Sequence, residues 1–135
     1  MKLCKGTFKF DVDINIPFGK SDFPQFSQKN NRIVIKKISG NNFWGKFVQP
    51  TESNEDFLIT RFTGVKTIDG ILTISTLDYS TLSNNGERLD EPGNVGIIFT
   101  ITRLNRDKYQ IKGIKPPGET SVSIAKFYRK KKTNY

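Results

Sequence analysis

The chain has 135 residues, 22 Lys and Arg against 13 Asp and Glu, a formal charge of +9 and no histidine. That is the length of one domain, able to bury about two-thirds of the surface its unfolded chain exposes and so to hold one core without staples. The absence of His removes the commonest general base and metal ligand, while the single Cys4 excludes an internal disulfide and leaves zinc, haem and iron–sulfur sites almost no ligands, so neither metal nor cofactor is expected.

The first element is the clearest. From Thr7 to Ile16 every even residue is apolar (Phe8, Phe10, Val12, Ile14, Ile16) and every odd one is polar (Thr7, Lys9, Asp11, Asp13, Asn15). Period 2 predicts a strand with its even face toward a core and its odd face wet. Residues 17–31 carry two Pro, one Gly and two Asn and read as a long loop, within which Phe18, Phe23 and Phe26 either pin it to the body or form a lid.

Residues 32–39 are β-branched and read as a second strand, Gly40-Asn41-Asn42 as a turn, and 43–49 as a third strand ended by Pro50. Gly45 beside Trp44 predicts a bulge or a close backbone approach. A fourth strand covers 56–68, with a bend expected at Gly64. Asp69-Gly70 between two β-branched runs predicts a hairpin with a type I′ turn into a fifth strand, 71–79.

A second long loop, about 80–94 by its turn residues, includes Asn84-Asn85-Gly86 and Asp90-Glu91-Pro92-Gly93. Three more strands follow at 95–104, 108–114 and 120–129, separated by Asn105-Arg106-Asp107 and by Lys115-Pro116-Pro117-Gly118. No window keeps a helical repeat better than a strand repeat.

Eight strands joined mainly by local turns predict an all-β, single-domain antiparallel meander. Closing it into an eight-stranded barrel hides its edges, and a two-sheet β-sandwich is the rival arrangement. Residues 1–129 form the expected barrel domain and 130–135 a basic C-terminal tail. The charge is uneven: net +5 over residues 1–68, −3 over 69–107 and +7 over 108–135.

Gly6-Thr7-Phe8 at the first strand and Arg129 on the last place the pattern near the calycins, the barrel group of lipocalins and fatty-acid-binding proteins. The chain resembles them where they carry Gly-x-Trp and a basic residue on the final strand; Phe stands here for Trp, and the helix pair of fatty-acid-binding proteins has no counterpart. The resemblance implies a closed eight-stranded meander.

Three function classes follow. The first is a non-catalytic binding barrel that holds a small apolar or anionic ligand inside, its candidate residues being Phe8, Phe10, Phe18, Phe23, Phe26, Arg61, Phe99 and Arg103. The two Arg fall where a strand pattern calls for an apolar residue, and a buried Arg needs an anionic partner. The second is single-stranded nucleic-acid or polyanion binding, with Lys36, Lys37, Phe43, Trp44, Lys46, Arg129, Lys130 and Lys131 as the candidate set, and Lys20, Lys29 and Arg32 nearby. No RNP-type motif supports it. The third is a protein-interaction module using the acidic stretch 87–91 and the basic tail.

Catalysis is the least supported class, because the carboxylates Glu87, Asp90 and Glu91 sit among turn residues where solvation is expected. Asp11 and Asp13 fall on the wet face of a strand and lack a calcium-loop pattern. The first residues, Met1–Gly6, carry no apolar leader, and no segment approaches the roughly 18 apolar residues of a membrane span, so a cytoplasmic location without a membrane span is expected.

Overall fold

The computed structural model describes residues 3–18, 29–51, 56–89, 96–105, 107–115 and 119–129, giving the backbone alone at 13–18, 115, 119–121 and 128–129. Eight strands follow one another: β1 Gly6–Phe18, β2 Asn31–Ser39, β3 Asn42–Pro50, β4 Asp56–Lys66, β5 Leu72–Ser83, β6 Ile98–Arg103, β7 Lys108–Lys115 and β8 Glu119–Arg129. Each pairs antiparallel with the next, and β8 returns to β1, so the sheet closes into a barrel rather than splitting into a sandwich. Among the described residues there is no helix. Phe23, Phe26, Asp90, Glu91, Lys130, Lys131 and the rest of the basic tail lie outside the described residues.

The even face of β1 turns inward as its alternation requires. Phe10 is fully buried, and Phe8 and Val12 are 6% exposed, while Lys9 and Asp11 are half-buried. Alternation then breaks. Between Val12 and Ile14 the register against β8 shifts by one residue, leaving Asp13 as the extra residue of a bulge. Beyond it Asn15 pairs with buried Ser123, and Ile14 and Ile16 pair with half-buried Ile124 and Val122. The expectation that Ile14 and Ile16 continue the inner face concerns side chains outside the described residues; the backbone there carries one inserted residue, at Asp13.

A similar slip occurs at Lys36, between Ile35 and Lys37 on β2, and at Leu77 on β5 opposite the Arg61–Phe62 step of β4. The β2–β3 slip has a visible cause. A Cβ on Gly45 would lie 1.9 Å from the carbonyl oxygen of Val34, so only glycine lets the two backbones meet there. Gly64 serves a different purpose: a Cβ there would sit 2.3 Å from Cζ of Phe43, whose ring fills the space that the glycine leaves.

The hairpin expected at Asp69-Gly70 is present with a different turn. Gly70 N–H donates to the Thr67 carbonyl at 3.0 Å, Thr67 N–H donates to the Ile71 carbonyl at 2.8 Å, and Ile71 N–H donates to the Thr67 hydroxyl. Gly70 alone has positive φ, +83°. This is a three-residue loop whose last residue is left-handed, where a type I′ turn would need positive φ at both Asp69 and Gly70.

The core is one connected set of rings and branched aliphatics, from Phe8, Phe10 and Val12 on β1 to Ala125 and Phe127 on β8. Phe47 meets Phe10 at 6.3 Å, Phe62 at 5.0 Å and Phe99 at 5.6 Å between centroids, so rings from β1, β3, β4 and β6 touch across the interior. Phe10 stacks on Phe127 at 4.8 Å, and Tyr109 meets Phe127 edge-on at 5.0 Å. Edge-to-face pairs of this kind contribute about 0.5–1.5 kcal/mol beyond the burial of their area.

The wall is unequal along its length. β1 pairs with β2 only over Gly6–Phe10, and β5 pairs with β6 only over Leu72–Ser75. Beyond those stretches the described ladders continue within β3–β5 on one side and within β6–β8 plus β1 on the other, with Thr76 still hydrogen-bonded to Ile97. There the inward positions of β3, β4 and β5 are Gln49, Leu58, Thr60, Tyr79 and Thr81, none of them buried.

Candidate functional site

The outer surface of β2 and β3 collects cations. Arg32 and Val34 of β2 point outward in alternation with buried Ile33 and Ile35, and Trp44, Lys46 and Val48 of β3 alternate with Phe43, Gly45 and Phe47. The extra residue at Lys36 doubles this face, because Lys36 and Lys37 are both exposed before Ile38 returns toward the core. Without the slip, one of the two lysines would have to point inward.

The register fixes the neighbours: Lys37 opposite Trp44, Val34 opposite Lys46 and Arg32 opposite Val48 on β2–β3, then Lys46 opposite Arg61 and Val48 opposite Ile59 on β3–β4. The Lys37 ammonium stands 5.0 Å from the centre of the Trp44 ring, and the Arg32 guanidinium stands 5.9 Å from that of Phe57. Val48 and Ile59 are 6% and 9% exposed yet belong to the outer set, apart from the central cluster. They give the cationic side chains an apolar bed.

Among the described residues, few carboxylates meet the charges on this face. Burial and then the neighbouring charge of Lys36, with a side-chain contact to Lys36 and the charge of Arg32, push the Lys46 ammonium below the usual lysine range. Arg61, which neighbours Lys46, is already engaged: its Nε donates to Asp78 Oδ1 at 2.8 Å and its Nη2 donates to Asp78 Oδ2. That hydrogen bond holds Asp78 below the usual carboxylate range and Arg61 above its own. The other ion pair among the described residues joins Lys126 and Asp107 at 3.7 Å. No described carboxylate pairs with Arg32, Lys36, Lys37 or Lys46.

Of the interior candidates, the three Phe on β1 and β6 lie inside as expected, and the two Arg lie outside. Phe8, Phe10 and Phe99 are buried in the ring cluster and pack on one another's neighbours. Arg61 does not face the interior. Phe62 and Gly64 hold the inner phase of β4, which sends Arg61 outward with Ile59 and Phe57; its side chain is 63% exposed. Arg103 shares the phase of Phe99 and Ile101 but lies at the end of β6, exposed, its Nε donating to the Asn105 carbonyl at 3.0 Å. The backbone of Phe18 ends β1 opposite Thr120.

In the nucleic-acid set, Lys36, Lys37, Trp44 and Lys46 do come together. Phe43 is fully buried against Phe62, 6.0 Å between centroids, and offers no stacking surface. Adjacent strand residues point to opposite faces, so Phe43 and Trp44 never share one. Arg129 lies on the last pair of the β1–β8 ladder, opposite Phe8. What the sequence hid was the Arg61–Asp78 fork and the meeting of Lys36 with Lys46, both of which depend on strand register.

Protein-family models and curated proteins contain no match to this chain. Among the described residues no three His, Cys, Asp or Glu side chains gather as a metal site would require, and no helix is long and apolar enough to cross a membrane. Glu87 is exposed beside the turn at Ser83–Gly86, where its N–H donates to the Ser83 hydroxyl at 3.1 Å. Asp11 accepts from the backbone N–H of Asn30 at 3.0 Å and so ties the entry of β2 to β1.

Proposed function

We propose that this chain is a non-catalytic binding protein whose outer β2–β3 face takes up a polyanion, single-stranded nucleic acid in the first place. One observation carries the reading: Arg32, Lys36, Lys37 and Lys46 surround the half-buried Trp44 with no described carboxylate to neutralise them. Phosphates repeat their charge along a strand and accept hydrogen bonds from ammonium and guanidinium groups, and an unpaired base can stack on an indole. A duplex has no free base faces to give Trp44.

Trp44 is the only tryptophan, so its fluorescence reports this face alone. Titration with an oligothymidylate should quench it. Each phosphate contact contributes a salt slope of about −0.7 for a single strand, so four contacts predict a log–log slope near −3. An affinity indifferent to salt, or binding that leaves Trp44 fluorescence unchanged, overturns the reading.

A second reading rests on the parted end of the barrel. Gln49, Thr60, Tyr79 and Thr81 face inward there and remain accessible, which suits a small polar ligand better than the apolar one that the Phe content first suggested. Thermal-shift screening against neutral polyols and small carboxylates tests it, and no stabilisation at saturating ligand counts against it.

A further inference from the structure

We infer that the bulge at Lys36 builds a seat for one phosphate group, gripped between the side chains of Lys36 and Lys46 with Arg32 alongside. The inference rests on the polyanion reading and narrows it to a site and a chemical group.

The seat follows from backbone geometry. Lys36 is the residue that the β2–β3 register skips, and Gly45, directly before Lys46, is where β2 comes nearest to β3. A side chain at 45 would force the strands apart. With glycine there, Lys36 and Lys46 share the outer face of adjacent strands beside the slip, and the charge of Lys36 helps push the Lys46 ammonium below the usual lysine range. An ammonium group donates hydrogen bonds and accepts none. Two of them side by side on one face repel each other unless an oxygen anion sits between them, and phosphate presents several acceptor oxygens tetrahedrally.

The surroundings reinforce this. Around Lys46 stand Lys36, Lys37 and Arg32 from β2 and Arg61 from β4, with Lys9 of β1 paired in register with Arg32. Among the described residues, the carboxylate that reaches this side of the patch, Asp78 of β5, is taken by both donors of the Arg61 fork. Val48 and Ile59 beneath are buried and apolar, which lowers the local dielectric and strengthens attraction to an anion. Lys37 leans instead over Trp44, so its role is separate from the pair.

The test uses the full chain and two probes, inorganic phosphate and an oligothymidylate, with the lysine side-chain resonances followed by NMR as pH is raised. Phosphate should shift the Lys46 titration upward, K36Q should abolish that shift, and K37Q should leave it. For the oligothymidylate, K36Q and K46Q should each weaken binding about tenfold and the double variant little more, because the two lysines act on one group. K37Q should cost about twofold, as an exposed single charge does.

If phosphate leaves Lys46 unmoved and K36Q and K46Q behave as K37Q does, the seat is refuted, even where the oligothymidylate still binds. If phosphate shifts Lys46 through Lys36 but no oligothymidylate binds, the seat stands and the nucleic-acid reading falls. Circular dichroism of each variant, compared with the parent, separates lost binding from lost fold.

Discussion

Replacing Gly45 by alanine tests the link between the fold and the basic face most directly. The new Cβ would meet the Val34 carbonyl oxygen at 1.9 Å, the Val34 carbonyl carbon at 3.0 Å and Phe62 Cζ at 3.2 Å. The ring could turn aside, but a ladder carbonyl cannot. The β2–β3 backbones must separate by roughly 1 Å, which a close-packed sheet does not absorb locally. Overpacking of this kind costs about 1–3 kcal/mol, and each ladder hydrogen bond lost beside the bulge adds about 1 kcal/mol.

About 3 kcal/mol is therefore expected, which for a domain of this size lowers Tm by roughly 10 °C. Gly70→Ala is the control. Its φ of +83° makes alanine strained, yet nothing lies within 4 Å of the added atom, so only about 1 kcal/mol is lost. Thermal melts by circular dichroism, with urea titrations for ΔG, compare the two. A Gly45→Ala protein as stable as Gly70→Ala would refute the close approach, and with it the backbone basis of the proposed Lys36–Lys46 seat.

Three further outcomes follow from the same structure. Phe47→Ala removes a ring that touches Phe10, Phe62 and Phe99 and should cost about 3–5 kcal/mol in urea denaturation, the range for a truncated core aromatic. The depressed Asp78 carboxyl contributes stability above its unfolded value near 3.8 that is lost as pH falls through the lower folded value; Asp78→Asn should flatten that acid limb only slightly, since the pair is exposed. The depressed Lys46 ammonium works in the opposite range: stability should rise as pH climbs from its lowered folded value toward 10.5, and Lys46→Gln should remove that rise.

Much of this architecture was legible in the residues. Eight apolar, β-branched runs separated by Gly, Pro, Asn and Asp name eight strands, and Gly40, Gly70 and Gly86 stand with positive φ in turns placed from sequence. Closure into a barrel followed from the need to hide edges. The slips at Asp13, Lys36 and Leu77 were not legible, because a bulge is a relation between two strands and alternation along one strand cannot reveal it. Gly45 was the one sequence trace, and it marked the right place.

Two residues that the sequence left open are decided by phase. Arg61 has either an interior or an outer reading, because Phe57 and Ile59 occupy its phase and apolar side chains usually mark the inner one. Here Phe57, Ile59 and Val48 lie on the outer wall, beneath Arg32 and beside Lys46. Phe43 was expected at the surface because Trp44 is its neighbour, although alternation puts the two on opposite faces. The pairing of Arg61 with Asp78 spans strands whose register is itself set by the Leu77 slip, so no reading along the chain finds it.

Net charge is a poor guide to where cations reinforce one another on this protein. At physiological salt a charge acts over about 8 Å, and neighbouring strands lie about 4.8 Å apart, so only cations on adjacent strands reinforce one another. Arg32, Lys36, Lys37 and Lys46 meet that condition on β2 and β3. Lys126 does not add to them: it is on β8 and spends its charge on Asp107. Arg61 lies next to Lys46 and would extend the patch, but Asp78 cancels it, so the patch has an edge along β4. The Arg61–Asp78 fork thus bounds the basic face on the side of β4, and among the described residues the cations without a carboxylate partner on these strands lie in the strip around the bulge.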